Sequence, residues 1–189
     1  NRLDLGGTAY TLDAACASTL VAVDHACRAL REQSADVVIA GGVHLCQDPV
    51  FWSVFSQLGA LSRNEQIRPF DRRADGLLIG EGVGMFVLKR AADARRDGDR
   101  IYAVIRGVGV ASDGREASLM TPRVEGQALA LQRAWSMAGL APETLGLLEA
   151  HGTGTPAGDA AELATLARFF GTAANDAARV PIGSVKSMI

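Results

Sequence analysis

A chain of 189 residues is long enough to bury the core of one domain, and 19 basic against 21 acidic side chains leave a net charge of −2, which argues against a nucleic-acid or membrane-surface partner. No apolar run approaches the ~20 residues that cross a bilayer, and the start, Asn1-Arg2-Leu3-Asp4, carries neither a signal peptide nor an initiator Met, so the chain reads as a piece of something longer. Three cysteines without an export signal point to free thiols and a cytoplasmic setting, while 21 glycines and 5% aromatics suit an α/β protein with tight turns.

Residues 10–12 form a short strand candidate that leads into Cys16. Over 17–32, Leu20, Val23, Cys27 and Leu30 recur three or four apart and predict a helix with one apolar stripe. A buried strand is expected over 36–42, closing on Gly41-Gly42, and a helix over 50–58 carrying Phe51, Trp52 and Phe55. The glycine-rich stretch 75–84 reads as a loop feeding a strand at 85–88, followed by a helix at 91–97 that Gly98 stops. Residues 101–111 alternate in part and suggest a strand; 126–138 is an amphipathic helix ended by Gly139. A strand at 146–150 runs into His151-Gly152-Thr153-Gly154-Thr155, with a helix at 160–170, a polar loop at 173–179 and a last strand at 181–185. Strands separated by helices favour a layered α/β architecture.

Cys16 follows a strand and a tight Asp13-Ala14-Ala15 turn and opens a helix. A cysteine attacks as thiolate, and a helix N-terminus favours that form through its unpaired N–H groups. Ala14, Ala15, Ala17 and Ser18 leave room for a substrate. The competing reading is a small packed residue, and Cys27, inside the helical stripe, is assigned that role. Cys46 beside His44 lacks further ligands at metal spacing and is discounted. Of the three histidines, His25 lies on the polar side of its helix and His44 in a loop. His151 sits at the C-terminal edge of a strand, where α/β proteins place their sites. Gly152 and Gly154 let the backbone turn closely there, the Thr153 and Thr155 hydroxyls are able to hold a polar ligand, and Pro156 and Asp159 fit the start of the next helix.

Taken in order, "DAACAST", "GGV", "RPFDRRADGLLIGEGVGMFVLKR", "EAHGTGTPAGDAAE" and "IGSVKSMI" resemble the β-ketoacyl synthases, condensing enzymes with the thiolase-like layered αβαβα fold. The resemblance covers essentially the whole chain. Its wording is nearest the ketosynthase domains of type I polyketide and polyunsaturated-fatty-acid synthases. It implies that Cys16 accepts an acyl chain from the phosphopantetheine arm of an acyl carrier protein, and that a malonyl-type extender then loses CO2 and attacks the Cys16 thioester. His151 would assist decarboxylation and stabilise the enolate oxygen. Thr153 and Thr155 would line the pantetheine tunnel, and Phe70 the acyl pocket. Lys186 would organise the active-site histidines and pair with Glu162, and the Cys16 N–H would form half of an oxyanion hole. A homodimer with Tyr10 and Leu12 at or near its interface, neighbouring megasynthase domains, and no bound cofactor or metal are further implications.

The chain also departs from the pattern. It stops at Ile189, before the family's third catalytic residue, a histidine two places beyond "GSVKSxI", and Met188 stands where many members carry Asn. The N-terminal strands of the fold and a C-terminal glycine-rich segment are missing as well. The expectation is therefore a ketosynthase fragment over 1–189, inactive alone. The competing readings are a decarboxylase-type homologue, a thiolase, a Cys/His hydrolase and a non-catalytic dimerisation component of a synthase.

Overall fold

The computed structural model describes residues 2–46, 48–115, 121–171 and 180–188; the expected loop at 173–179 and the terminal Ile189 lie outside the described residues. The chain divides into two compact units, Asn1–His44 with Gly82–Val108 and Leu45–Glu81 with Gly109–Ile189.

In the first unit a single 3-10 turn, Ala15–Ala17, leads into helix α1, Ser18–Arg31. Val23, Ala26 and Leu30 of α1 are buried, and burial pushes the Cys27 thiol above its ordinary pKa, as expected of a packed cysteine. Leu20 departs from the stripe and is 66% exposed. At that end of α1 it is Thr19 that meets the sheet: a Cβ on Gly42 would lie 2.0 Å from the Thr19 Oγ1.

Strand β1, Val37–His44, pairs antiparallel with β2, Gly82–Lys89, in unbroken register from Val37↔Lys89 to His44↔Gly82. Gly41 and Gly42 therefore lie inside the strand instead of closing it, and His44 ends a strand where a loop was expected. The glycines serve close approach, since a Cβ on Gly41 would meet the Gly84 carbonyl oxygen at 2.0 Å. Helix α3, Ala91–Arg96, is joined to the rest through Arg90. That guanidinium donates to the Leu30 and Ala35 carbonyls and to Asp36 and Asp93. Neither residues 10–12 nor 101–111 form strands; both run without regular structure. Alternation supplies a pattern, but a strand also needs a ladder partner, and none is present among the described residues.

The second unit begins with α2, Pro49–Gln57, where the Asp48 carboxylate accepts from Val50 N at 2.7 Å and Pro49 takes the first helical position. Helix α4, Val124–Ala138, ends at Gly139 in the left-handed region (φ 61°). The expected strands at 146–150 and 181–185 reduce to a short parallel pair, β3 Leu148–Glu149 and β4 Ile182–Gly183. Helix α5, Pro156–Phe170, starts four residues earlier than its periodicity suggested, because Pro156 has the φ of a first helical residue.

Helices α4 and α5 pack together, with Trp135 edge-on to Phe169 and Phe170 at 5.5 and 5.3 Å. Thr165, 2% exposed, places its hydroxyl 2.8 Å from both Gln127 Oε1 and the Ala161 carbonyl. Replacing it with valine keeps the shape and leaves the glutamine oxygen without its donor. Thr165→Val is expected to lower stability by about 1–2 kcal/mol, read as a lower urea midpoint at unchanged slope in the complete protein. Among the described residues, no helix is long and apolar enough to cross a membrane.

Candidate active site

Cys16 belongs to the first unit and is solvent-exposed. The turn before it is held by its own side chains. Asp13 Oδ1 accepts from Ala15 N at 2.8 Å, while the Ser18 hydroxyl accepts from Ala14 N and donates to the Ala15 carbonyl. Ala15 takes a left-handed backbone (φ 49°), an uncommon state for a residue with a Cβ that costs about 1–2 kcal/mol. The short polar residues on either side therefore fix a sharp entry into α1, with the thiol at its outer end.

The remaining sequence candidates lie in the second unit and converge on one turn. The peptide of His151 is held from both sides. Glu162, on α5, accepts from His151 N at 2.7 Å through Oε1 and from Gly152 N at 2.9 Å through Oε2. Lys186 Nζ donates to the His151 carbonyl at 2.7 Å. Glu162 and Lys186 were expected to pair directly. Instead each charge takes hold of the His151 backbone, and no ion pair joins them among the described residues. The expected partnership is thus indirect, through the His151 peptide that both side chains hold.

The His151 side chain keeps an accessible edge, yet its imidazole pKa lies below the ordinary value. Desolvation is the main cause and the Lys186 charge adds to it, against the opposing pull of Glu162 and Asp159. The Thr153 and Thr155 hydroxyls bond to each other at 2.8 Å, and a Cβ on Gly158 would lie 2.8 Å from the first and 2.5 Å from the second. Gly152 (φ 48°) is wedged between Ser184 and Pro69, whose Cβ atoms would stand 2.6 and 3.1 Å from an added methyl.

Phe70 is half-buried on a loop whose base is closed by Ser62 N to the Leu77 carbonyl (2.9 Å) and Leu77 N to the Ala60 carbonyl (2.8 Å). Asp75 organises this loop by accepting from the Ser62 hydroxyl, Arg63 N and Asn64 Nδ2. Those bonds hold its carboxyl below the usual range. The loop meets the histidine turn twice, through Gly76 N to the Gly154 carbonyl (2.9 Å) and through Asp159, whose Oδ2 accepts from Phe70 N (2.6 Å) and Oδ1 from Gly154 N (3.1 Å).

Six of the seven sequence candidates (Phe70, His151, Thr153, Thr155, Glu162 and Lys186) thus stand in one unit and Cys16 in the other. Asp159 and Asp75 escaped the sequence reading as site residues. The spacing Asp159–Glu162 was the available signal, because acids three apart on a helix share a face and both reach back to the turn before it. Among the described residues, no three His, Cys, Asp or Glu side chains are placed to hold a metal ion.

Residues 1–94 match the family "Beta-ketoacyl synthase, N-terminal domain" and residues 102–189 the family "Beta-ketoacyl synthase, C-terminal domain". The chain is 45% identical, over 98% of its length, to a phenolphthiocerol/phthiocerol polyketide synthase polypeptide of Mycobacterium bovis, of which it spans 10%. It is 42% identical over its whole length to a polyunsaturated fatty acid synthase polypeptide of a Thraustochytrium species, of which it spans 7%. The solved oxazolomycin ketosynthase domain of Streptomyces albus superposes with a TM-score of 0.92 at 40% identity, covering 97% of this chain and 33% of that one. The expected thiolase-like α/β class is the fold these ketosynthase domains share.

Proposed function

Because the chain belongs to the β-ketoacyl synthase family of acyl-condensing transferases, we propose that it carries the nucleophile and the first histidine of a ketosynthase working within a type I polyketide or polyunsaturated-fatty-acid synthase. The Cys16 thiolate attacks the carbonyl of an acyl thioester on an acyl carrier protein. The acyl C–S bond to the carrier breaks, and the carrier's sulfur takes up the proton that Cys16 gave up on becoming a thiolate. A malonyl-type extender on the carrier arm then loses CO2, and the electron pair of the broken C–C bond becomes an enolate. The enolate attacks the Cys16 thioester, forms the new C–C bond and expels the Cys16 thiolate.

The observation that carries this reading is the His151 turn: a histidine whose backbone is fixed by Glu162 and Lys186 beside two threonine hydroxyls. A low-pKa imidazole stays neutral at pH 7 and donates a hydrogen bond to the enolate oxygen without surrendering its proton. Thr153 and Thr155 offer hydroxyls to the pantetheine amides, and Phe70 a wall to the acyl chain. The phosphopantetheine arrives with its carrier, so no resident cofactor is invoked. Four arginines on the neighbouring loop, Arg63, Arg68, Arg72 and Arg73, stand against three acids, Glu65, Asp71 and Asp75, and Asp75 is already engaged within the loop, a balance that favours an anionic partner such as the carrier and its phosphate. We further assign a homodimer with Tyr10 and Leu12 near its interface and a cytoplasmic setting suited to three free thiols.

Intact-protein mass spectrometry on the complete protein tests this. After mixing with an acyl-pantetheine thioester, the wild type should gain the mass of one acyl group and Cys16→Ala none. A folded wild-type protein that takes up nothing would leave a non-catalytic role in the synthase.

A further inference from the structure

Building on that reading of Phe70 and His151, we propose that Asp159 is a positioning residue: its carboxyl group ties the Phe70 turn to the His151 turn and so sets the distance between the acyl-pocket wall and the loop that holds the pantetheine arm. Asp159 is among the few buried polar side chains of the molecule, 5% exposed. Its two oxygens face in different directions along the chain. Oδ2 takes the Phe70 amide at 2.6 Å, 89 residues away in sequence, and Oδ1 takes the Gly154 amide at 3.1 Å.

The Phe70 end is under backbone strain. Phe70 has φ 62°, a left-handed conformation that costs a residue with a bulky side chain about 1–2 kcal/mol. A short hydrogen bond to a carboxyl oxygen is what offsets that cost. At the other end Gly154, also left-handed (φ 72°), has no room for a Cβ, which would lie 2.9 Å from the Gly76 carbonyl oxygen and 3.2 Å from Ile67. Asp159 itself cannot drift. It lies in the first turn of α5, with its own amide bonded to the Thr155 carbonyl at 2.9 Å, and the N-terminal end of the helix favours an acidic side chain. The carboxyl group is therefore a rigid two-ended link between segments that local sequence does not join.

Asp159→Asn separates this role from simple packing. Asparagine has nearly the same volume but a single acceptor oxygen, so its NH2 group must face one of the two amide donors. In the complete protein, hydrogen–deuterium exchange of the fragments containing Phe70 and Gly154 is expected to speed up by about 10-fold or more at one or both sites. The rates of Cys16 loading by octanoyl- and acetyl-pantetheine are measured alongside, and their ratio is expected to change about fivefold or more as the wall loses its fixed position.

Unchanged exchange at both sites overturns the link. Faster exchange with an unchanged loading ratio reduces Asp159 to a structural contact and overturns its positioning role. Should Asp159→Asn fail to fold, exchange in the wild type decides the matter: Phe70 and Gly154 amides that exchange as fast as exposed Arg72 overturn the link, and slow ones uphold it. A wild-type protein that takes no acyl group at Cys16 counts against the condensing reading, while the exchange arm still decides the link.

Discussion

His151→Ala in the complete protein is expected to keep loading Cys16 with an acyl group yet to lose chain extension by about 10²- to 10³-fold, the usual cost of removing one donor to a developing oxyanion. On the proposed mechanism the two half-reactions part, because Cys16 stands on its own turn, held by Asp13 and Ser18, whereas His151 serves the extender. Single-turnover loading followed by mass, and malonyl decarboxylation followed by CO2 release, measure them separately. Equal loss of both would mean that His151 serves the nucleophile instead.

The same residue sets a pH dependence. Its depressed pKa comes first from desolvation and then from the Lys186 charge, with Glu162 and Asp159 pulling the other way. Above the ordinary value of about 6.5 the imidazole is neutral in both the folded and unfolded chain. As the pH falls below that value, the unfolded chain takes up the proton first, so the stability contributed by neutral His151 is lost progressively down to the folded-state pKa. Below that pKa the proposed mechanism would set an imidazolium, a proton donor, against the enolate. The ratio of condensation to CO2 released should therefore fall on acidification, read from both products across a pH series. A constant ratio would exclude His151 from contact with the enolate.

Gly76→Ala is expected to destabilise the protein by about 2–5 kcal/mol. The backbone at Gly76 has φ 149°, a conformation side-chain-bearing residues avoid. An added Cβ would stand 2.5 Å from Leu61 C and Ser62 N and 2.6 Å from the Ala60 carbonyl oxygen. All three are main-chain atoms at the closed base of the Phe70 loop, so no side-chain rotation relieves the clash. Relief must come from opening that base or from giving up the Gly76–Gly154 hydrogen bond. Gly80→Ala is the control: an added Cβ there meets nothing within 4 Å, and its effect should stay within about 1 kcal/mol. Urea melts of the two variants side by side check the contrast, and similar midpoints would refute it.

How far these features could be read in advance follows from how local their causes are. Helices α1, α2 and α4 were legible from their local apolar residues, and the end of α4 from Gly139, which acts within a turn of where it stands. Residues 101–111 were not, because alternation does not supply the neighbouring strand that makes a ladder. Gly41 and Gly42 looked like a stop for the same reason: the Gly84 carbonyl and Thr19 that require them are distant in sequence. At the site, the motifs identified Cys16, His151, Lys186 and Glu162 as candidates. They did not reveal that Lys186 and Glu162 meet through the His151 peptide, nor that Asp159 reaches Phe70. Side-chain-to-backbone bonds across such separations leave no periodicity to find.

The first turns of α5 impose a rule on anyone recombining this protein with its relatives. Gly158 clears space for two threonine hydroxyls, Asp159 holds the Phe70 and Gly154 amides, and Glu162 holds those of His151 and Gly152. A chimera with a crossover between 151 and 162 would join one parent's turn to the other parent's supports. Functional crossovers belong outside that block, and residues 60–77 must come from the same parent.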